Sequence, residues 1–239
     1  MQTLVIGASG ATGQRAVQQL LNYGSKVKVI VRPTANIPDS WLVNGVNIIK
    51  ANISEMSIKD MAGHLLGCDA VVSCIGHNIS WKGIYGKPRR LVANAVGLIC
   101  DSIVLSPPNR PMKFVLMNTA GCINKDLNEQ NTFAESMILR LLRILVPPHP
   151  DNEQALEYLR TQIGQDHTMI DWVAVRPDTL VDEPQVSGYS VHPSPTTSAI
   201  FNSGQSSRAN VGDFIARLVI DAPLWMEWKG QMPVIYNRT

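Results

Sequence analysis

Three glycines, Gly7, Gly10 and Gly13, are set at three-residue intervals in the opening stretch MQTLVIGASGATGQR, between a strand-like run and a helix-like one. Thr3 to Ile6 have the β-branched, apolar bias of a buried parallel strand. Beyond the glycines, Ala16, Val17, Leu20 and Leu21 recur on one helical face over Gln14 to Asn22. Strand, tight turn and helix are therefore contiguous, and in that frame each glycine has its own task. One turns the chain, one lets backbone approach a pyrophosphate, and one lets the helix pack closely on the strand. The phosphates belong at the helix N-terminus, where unpaired N–H groups and the positive dipole end favour an anion. The predicted cradle is Gly7, Ser9, Gly10, Ala11, Thr12 and Gly13.

The spacing is Gly-x-x-Gly-x-x-Gly rather than Gly-x-Gly-x-x-Gly, and as GASGATGQ it resembles the short-chain dehydrogenase/reductase superfamily. The likeness is strongest to its divergent, atypical branch of NAD(P)-binding proteins, the NmrA-like and biliverdin-reductase-B-like members. It covers nearly the whole chain. It implies an α/β fold: a doubly wound, mostly parallel Rossmann sheet flanked by helices, in a single domain over 1–239. A small substrate-covering segment is expected at approximately 178–210.

Composition narrows the function classes. A hydrophobic content of 45% with 17% charged residues describes a globular chain, and a formal charge of +2 is too small for a nucleic-acid or anionic-membrane surface. Cys68, Cys74, Cys100 and Cys122 have neither Cys-x-x-Cys nor metal-ligand spacing, so no metal is expected and the thiols read as reduced. The apolar segment from Met137 to Val146 is broken by Arg140 and Arg143 and is too short to span a bilayer. The chain enters its first strand within three residues, leaving no room for a signal peptide. The expected location is cytoplasmic.

The second strand, Lys26 to Val31, ends in Arg32-Pro33. The residue leaving that strand faces the adenosine ribose, where an acid binds the 2′-OH and an arginine accommodates a 2′-phosphate. Arg32 and the absence of an acid therefore favour NADP(H) over NAD(H). A third strand, Val46 to Ile49, leads to Ala51-Asn52-Ile53, and the resemblance implies that Asn52 meets the adenine amine and Ile53 the ring face. A fourth strand, Ala70 to Ile75, ends at Gly76, which puts Cys74, Ile75 and Gly76 at the carboxyl edge where open α/β sheets place ligands. His77 to Arg90, with Asn78, Trp81, Gly83, Tyr85, Gly86 and Pro88, reads as a loop covering cofactor or substrate. A helix over Leu91 to Leu105 is implied by the resemblance to pack on the sheet and to serve in homodimer contacts.

After a fifth strand, Lys113 to Met117, come Asn118 and Thr119. By resemblance the Thr119 hydroxyl holds a substrate carbonyl beside the nicotinamide; the alternative is that it satisfies its own turn. Thr132 to Val146 is helical, with Phe133, Met137, Leu141 and Leu145 at four-residue steps. Such a helix walls a substrate pocket, joins a neighbouring subunit or packs on its own domain. Further elements are expected over Asp151 to Ile163, Trp172 to Val175, Val211 to Ile220 and Met232 to Tyr236, with a Pro-, Ser- and Gly-rich stretch over Val181 to Arg208.

The superfamily's Tyr-x-x-x-Lys pair is missing, since Val27, Arg89, Gln162 and Pro193 stand four residues beyond Tyr23, Tyr85, Tyr158 and Tyr189. Aligning the family spacing on Glu157 puts Glu153 at the lysine position and His149 at the tyrosine position, which makes His149 the candidate proton donor. His77 and His192 are further candidates. Two functions follow: an NADPH-dependent oxidoreductase passing hydride to a small aromatic, quinone- or flavin-like acceptor, or a non-catalytic NADP(H)-binding redox sensor or assembly protein.

Overall fold

Leu4 and Ile6 of strand β1 (Gln2–Ile6) point into one apolar layer and Val5 into the other, as the two-residue period of a strand requires. In the computed structural model, which describes residues 1–77, 86, 88–130 and 132–238, this strand lies inside a sheet covered on both faces. Strands β2 (Lys26–Val31), β3 (Asn47–Lys50), β4 (Ala70–Ser73), β5 (Met112–Met117) and β6 (Ile170–Pro177) all run parallel to it. Val5 pairs with Val29 on one side and Val72 on the other. β10 (Val234–Asn237) extends the sheet in parallel, and β8 (Tyr189–His192) closes it antiparallel, giving the order β3-β2-β1-β4-β5-β6-β10-β8. The order reverses between β1 and β4, and the crevice at that switch point is where this architecture takes ligands.

One face carries α1 (Ala11–Asn22), α7 (Arg208–Ile220) and the tryptophans Trp225 and Trp228 of α8 (Ala222–Trp228). The α1–α7 crossing is close because Gly212 has no side chain: a Cβ there would stand 2.7 Å from the carbonyl carbon of Arg15. The other face carries α3 (Ile58–Leu65), α4 (Leu91–Leu105) and α6 (Pro148–Tyr158). Capping boxes start α3 (Ser57 with Asp60) and α5 (Phe133–Leu145; Thr132 with Glu135). Cys68, Cys100 and Cys122 are buried free thiols.

Several sequence expectations change. The sixth strand runs from Ile170 to Pro177, longer at both ends than Trp172 to Val175, and the last begins at Val234. The helix expected from Asp151 begins at Pro148, because proline at the first helical positions gives up only N–H groups that have no partner there. It passes into a π-turn over Leu159–Ile163 that Gly164 closes at φ 69°. The Ser- and Pro-rich stretch contains β8 and β9 (Gln205–Ser207), and β9 pairs with β7 (Thr179–Val181), at the start of the stretch, in a small separate sheet. Short α2 (Asp39–Val43) and α8 were not foreseen. On α5, Leu139 turns inward, while Phe133, Met137, Leu141 and Leu145 are exposed, Phe133 by 83%. Among the described residues no helix is long and apolar enough to cross a membrane.

Candidate cofactor cleft

The three glycines of the first turn do three different things. Gly7 adopts φ +75°, which turns the chain, and a Cβ on it would lie 2.6 Å from the carbonyl of Cys74, just past the neighbouring strand β4. Gly13 is pressed on the strand end: its Cβ would stand 2.2 Å from the Gly7 carbonyl oxygen and 2.9 Å from Cα of Ala8. Gly10 meets nothing nearer than 3.3 Å and leaves its outer side open for approach. Gly10 also stands at the N-cap of α1, where no side chain caps the helix and no acidic residue occupies the first turn. The leading N–H groups therefore lack a side-chain acceptor, unlike those of α3 and α5, and an anion there would complete them.

A cleft of about 700 Å³ opens in front of this turn. Its walls bring together Gly7, Ser9, Gly10, Ala11, Thr12 and Gly13 with Arg32 at the end of β2, Asn52 and Ile53 past β3, and Cys74, Ile75 and Gly76 past β4. Asn52 is also engaged locally: its Oδ1 accepts from the Ser54 N–H at 3.2 Å and its Nδ2 donates to Glu55 at 2.7 Å. Burial pushes the Cys74 thiol up to about 12, so it packs as a neutral group rather than acting as a nucleophile. Of the expected covering loop, Gly86 and Pro88 line the cleft, while Asn78, Trp81, Gly83 and Tyr85 lie outside the described residues.

Asn118, Thr119 and His149 are not among the described lining residues of the cleft, although Met117, directly before Asn118, is. The Asn118 amide donates to the Asn152 carbonyl at 3.0 Å and accepts from the Thr119 N–H at 2.9 Å. Thr119 Oγ1 accepts from the Gly121 N–H at 3.2 Å, the local turn bond that was the alternative to substrate contact. His149 sits in the first turn of α6 rather than in a loop, with Nε2 3.4 Å from Glu153 and no well-formed hydrogen bond. Arg143 grips the same Glu153 through Nε at 2.9 Å and Nη2 at 2.7 Å. Burial would raise the Glu153 carboxyl, but His149 and Arg143 outweigh it and hold it down to about 2. Because the folded-state value is depressed, the stabilisation is present above the ordinary value of 4.5 and is lost as pH falls towards 2. Urea titrations across that window should show wild-type stability dropping more steeply than that of Glu153→Gln. His192 is on edge strand β8, bonded to Ser190 at 3.0 Å.

Two contacts at the cleft escape sequence reasoning, although His77 itself is among the candidates. His77 lines it just beyond Gly76, and its Nε2 lies 2.7 Å from Asp151, with both side chains at most 5% exposed. The Asp151 carboxylate accepts from the N–H groups of Val92 at 2.8 Å and Ala93 at 2.9 Å, capping α4 from a distant helix. The one carboxylate thus joins the His77 ring to the start of α4. Seventy-four positions separate the two residues, so no local spacing announces the pair. Arg208 enters the cleft from the first turn of α7, with Nη1 2.9 Å from the exposed Asp182.

The sequence profile of a family described as NAD(P)H-binding matches residues 7–222. No curated protein matches the chain. Among solved structures, a short-chain dehydrogenase/reductase from Veillonella parvula in complex with NADP superposes with a TM-score of 0.70 at 15% identity, over 99% of this chain and 94% of that one. An anaerobilin reductase from Escherichia coli O157:H7 gives 0.68 at 16% identity, over 99% and 97%. A proposed NADH-flavin reductase from Streptococcus pneumoniae gives 0.66 at 20%, over 100% of both chains. At these identities the likeness is one of fold alone. With the uncapped glycine turn at the switch point and a profile match over most of its length, the chain belongs to the NAD(P)H-binding family.

Proposed function

We propose that the protein is an NADPH-dependent oxidoreductase that reduces a small aromatic, quinone- or flavin-like acceptor. The observation that carries this reading is the α1 N-terminus, left without a side-chain cap in the wall of a cleft of about 700 Å³ that Arg32 also lines. Gly7, Gly10 and Gly13 let backbone close on the pyrophosphate, Arg32 takes the 2′-phosphate, and Ile53 offers an apolar edge to the adenine. Bound there, NADPH supplies a hydride, two electrons with a proton, and the reduced acceptor takes its second proton from water. The protein's own part is to orient and to exclude solvent. Ile75, Met117 and Leu180 give the cleft apolar walls, and Asp151 fixes the ring of His77 at its side.

Arg32→Ala should weaken NADPH binding by about ten- to hundred-fold, the worth of a hydrogen bond to a charged group, while leaving NADH binding nearly unchanged. Calorimetry with both dinucleotides is the check, and equal losses would remove the claim of NADP preference.

A second reading, a non-catalytic NADP(H)-responsive binding protein, is favoured by the absent Tyr-x-x-x-Lys pair and by Thr119 and His149 lying off the described cleft wall. NADPH oxidation over a panel of quinones, flavins and aldehydes separates the two. Tight cofactor binding with no turnover on any acceptor selects the sensor.

A further inference from the structure

A second cavity, of about 460 Å³, opens where the chain leaves β5. Ala120 and Gly121 form its near wall, three residues beyond Met117 of the cofactor cleft, and the Ser194–Ile200 segment and α5 form the others. Its surface is of two kinds. Ile123, Leu127, Leu139 and Ile200 supply apolar area; the hydroxyls of Ser194, Thr196, Thr197 and Ser198, the Gln130 amide and the carboxylates of Glu129 and Glu135 supply polar atoms. Thr197 Oγ1 is buried and has no hydrogen-bond partner, a costly state that a bound polar group would relieve.

The charge of the lining is one-sided. Burial raises the Glu129 carboxyl, but hydrogen bonds from Arg176 more than reverse this, so it stays ionised. The hydroxyl of Ser198, with Thr132, keeps Glu135 below the usual range. Arg176 is itself fully buried, and its guanidinium is spent on Glu129 and on the carbonyls of Met232, Cys122 and Pro193. Among the described lining residues there is no lysine, arginine or histidine. A phosphate or carboxylate brought here would lose water, find no cation among the described lining residues, and lie near Glu135 and a Glu129 whose charge already engages Arg176.

We infer that this cavity holds the ring system of the acceptor and that the acceptor is uncharged, an aromatic compound with hydrogen-bonding oxygen or nitrogen atoms rather than one bearing phosphate or carboxylate. The inference rests on the oxidoreductase reading for the word acceptor and on the cavity alone for its charge. Riboflavin and FMN make the test, because they share one isoalloxazine ring and differ by a phosphate. Each is titrated by fluorescence into the protein with and without NADP⁺, beside menadione and 1,4-naphthoquinone-2-sulfonate as a second uncharged and anionic pair. The uncharged member of each pair should bind at least about ten-fold tighter, in keeping with the cost of an unpaired like charge. Thr196→Lys, which places a cation in the wall, should narrow the riboflavin-to-FMN ratio to about three-fold or less. FMN binding as well as riboflavin, a ratio untouched by Thr196→Lys, or failure of both uncharged probes to bind overturns the inference. Selective binding without NADPH oxidation by any acceptor would instead sink the oxidoreductase reading and leave the pocket's charge preference standing.

Discussion

Gly13→Ala is expected to abolish dinucleotide binding and to lower stability by about 3 kcal/mol, the upper end of what forced overpacking costs. The new methyl would stand 2.2 Å from the Gly7 oxygen and 2.9 Å from Cα of Ala8, both backbone atoms that cannot swing away as a flexible side chain would. α1 must then lift from β1, and the N–H groups at its start lose their aim. Gly7→Ala should be of similar severity for a second reason, since it combines φ +75° with a 2.6 Å approach to the Cys74 carbonyl. Gly10→Ala is the informative control: its nearest atom, the Gly7 oxygen at 3.3 Å, needs to give by only a few tenths of an ångström, so it should lose much less stability than Gly13→Ala while still losing cofactor affinity. Urea denaturation and NADPH calorimetry on the three variants check the assignment. A Gly13→Ala protein that binds NADPH normally would mean that the turn is not the cradle.

Arg176→Met should cost about 3–5 kcal/mol of folding stability, the usual penalty for leaving one member of a buried ion pair alone. Arg176 is fully buried and makes a two-pronged bond to Glu129 at 2.7 and 2.8 Å, while its other N–H groups reach carbonyls from three separate loops. The side chain therefore ties β6 to the β5 exit, to the segment after β8 and to the approach to β10. Arg176→Met combined with Glu129→Leu should recover part of the loss, because the stranded carboxylate disappears with its partner. The recovery is read from urea midpoints of the single and double variants. A single variant within about 1 kcal/mol of wild type would show that the pair is replaceable where it stands.

What could be read without coordinates was local. The glycine turn, the strand ending at Arg32 and the helix over Leu91–Leu105 declare themselves within a few residues of chain, and the parallel sheet follows from their alternation. Pairs joined across the fold could not be read that way: Asp151 reaches His77 and α4, and Arg176 reaches Glu129, over separations that carry no periodic signal. β7 and β9 were missed because Gln205–Ser207 lacks apolar alternation; part of its hold comes from side-chain bonds, including Ser206 to the Ile235 carbonyl at 2.6 Å. His149 illustrates another limit. Family spacing assigned it a role, and the structure places it in the first turn of α6 with Nε2 3.4 Å from Glu153, a neighbour that the helix start at Pro148 sets four residues on.

The buried thiols have a practical meaning. Loss of solvent pushes the Cys122 sulfhydryl up to about 12 and that of Cys100 higher still, so neither offers thiolate to an alkylating reagent while the layers stay closed. Modification at these positions has to wait for the chain to breathe, and its rate becomes an internal clock for how often the layer between sheet and helices comes apart.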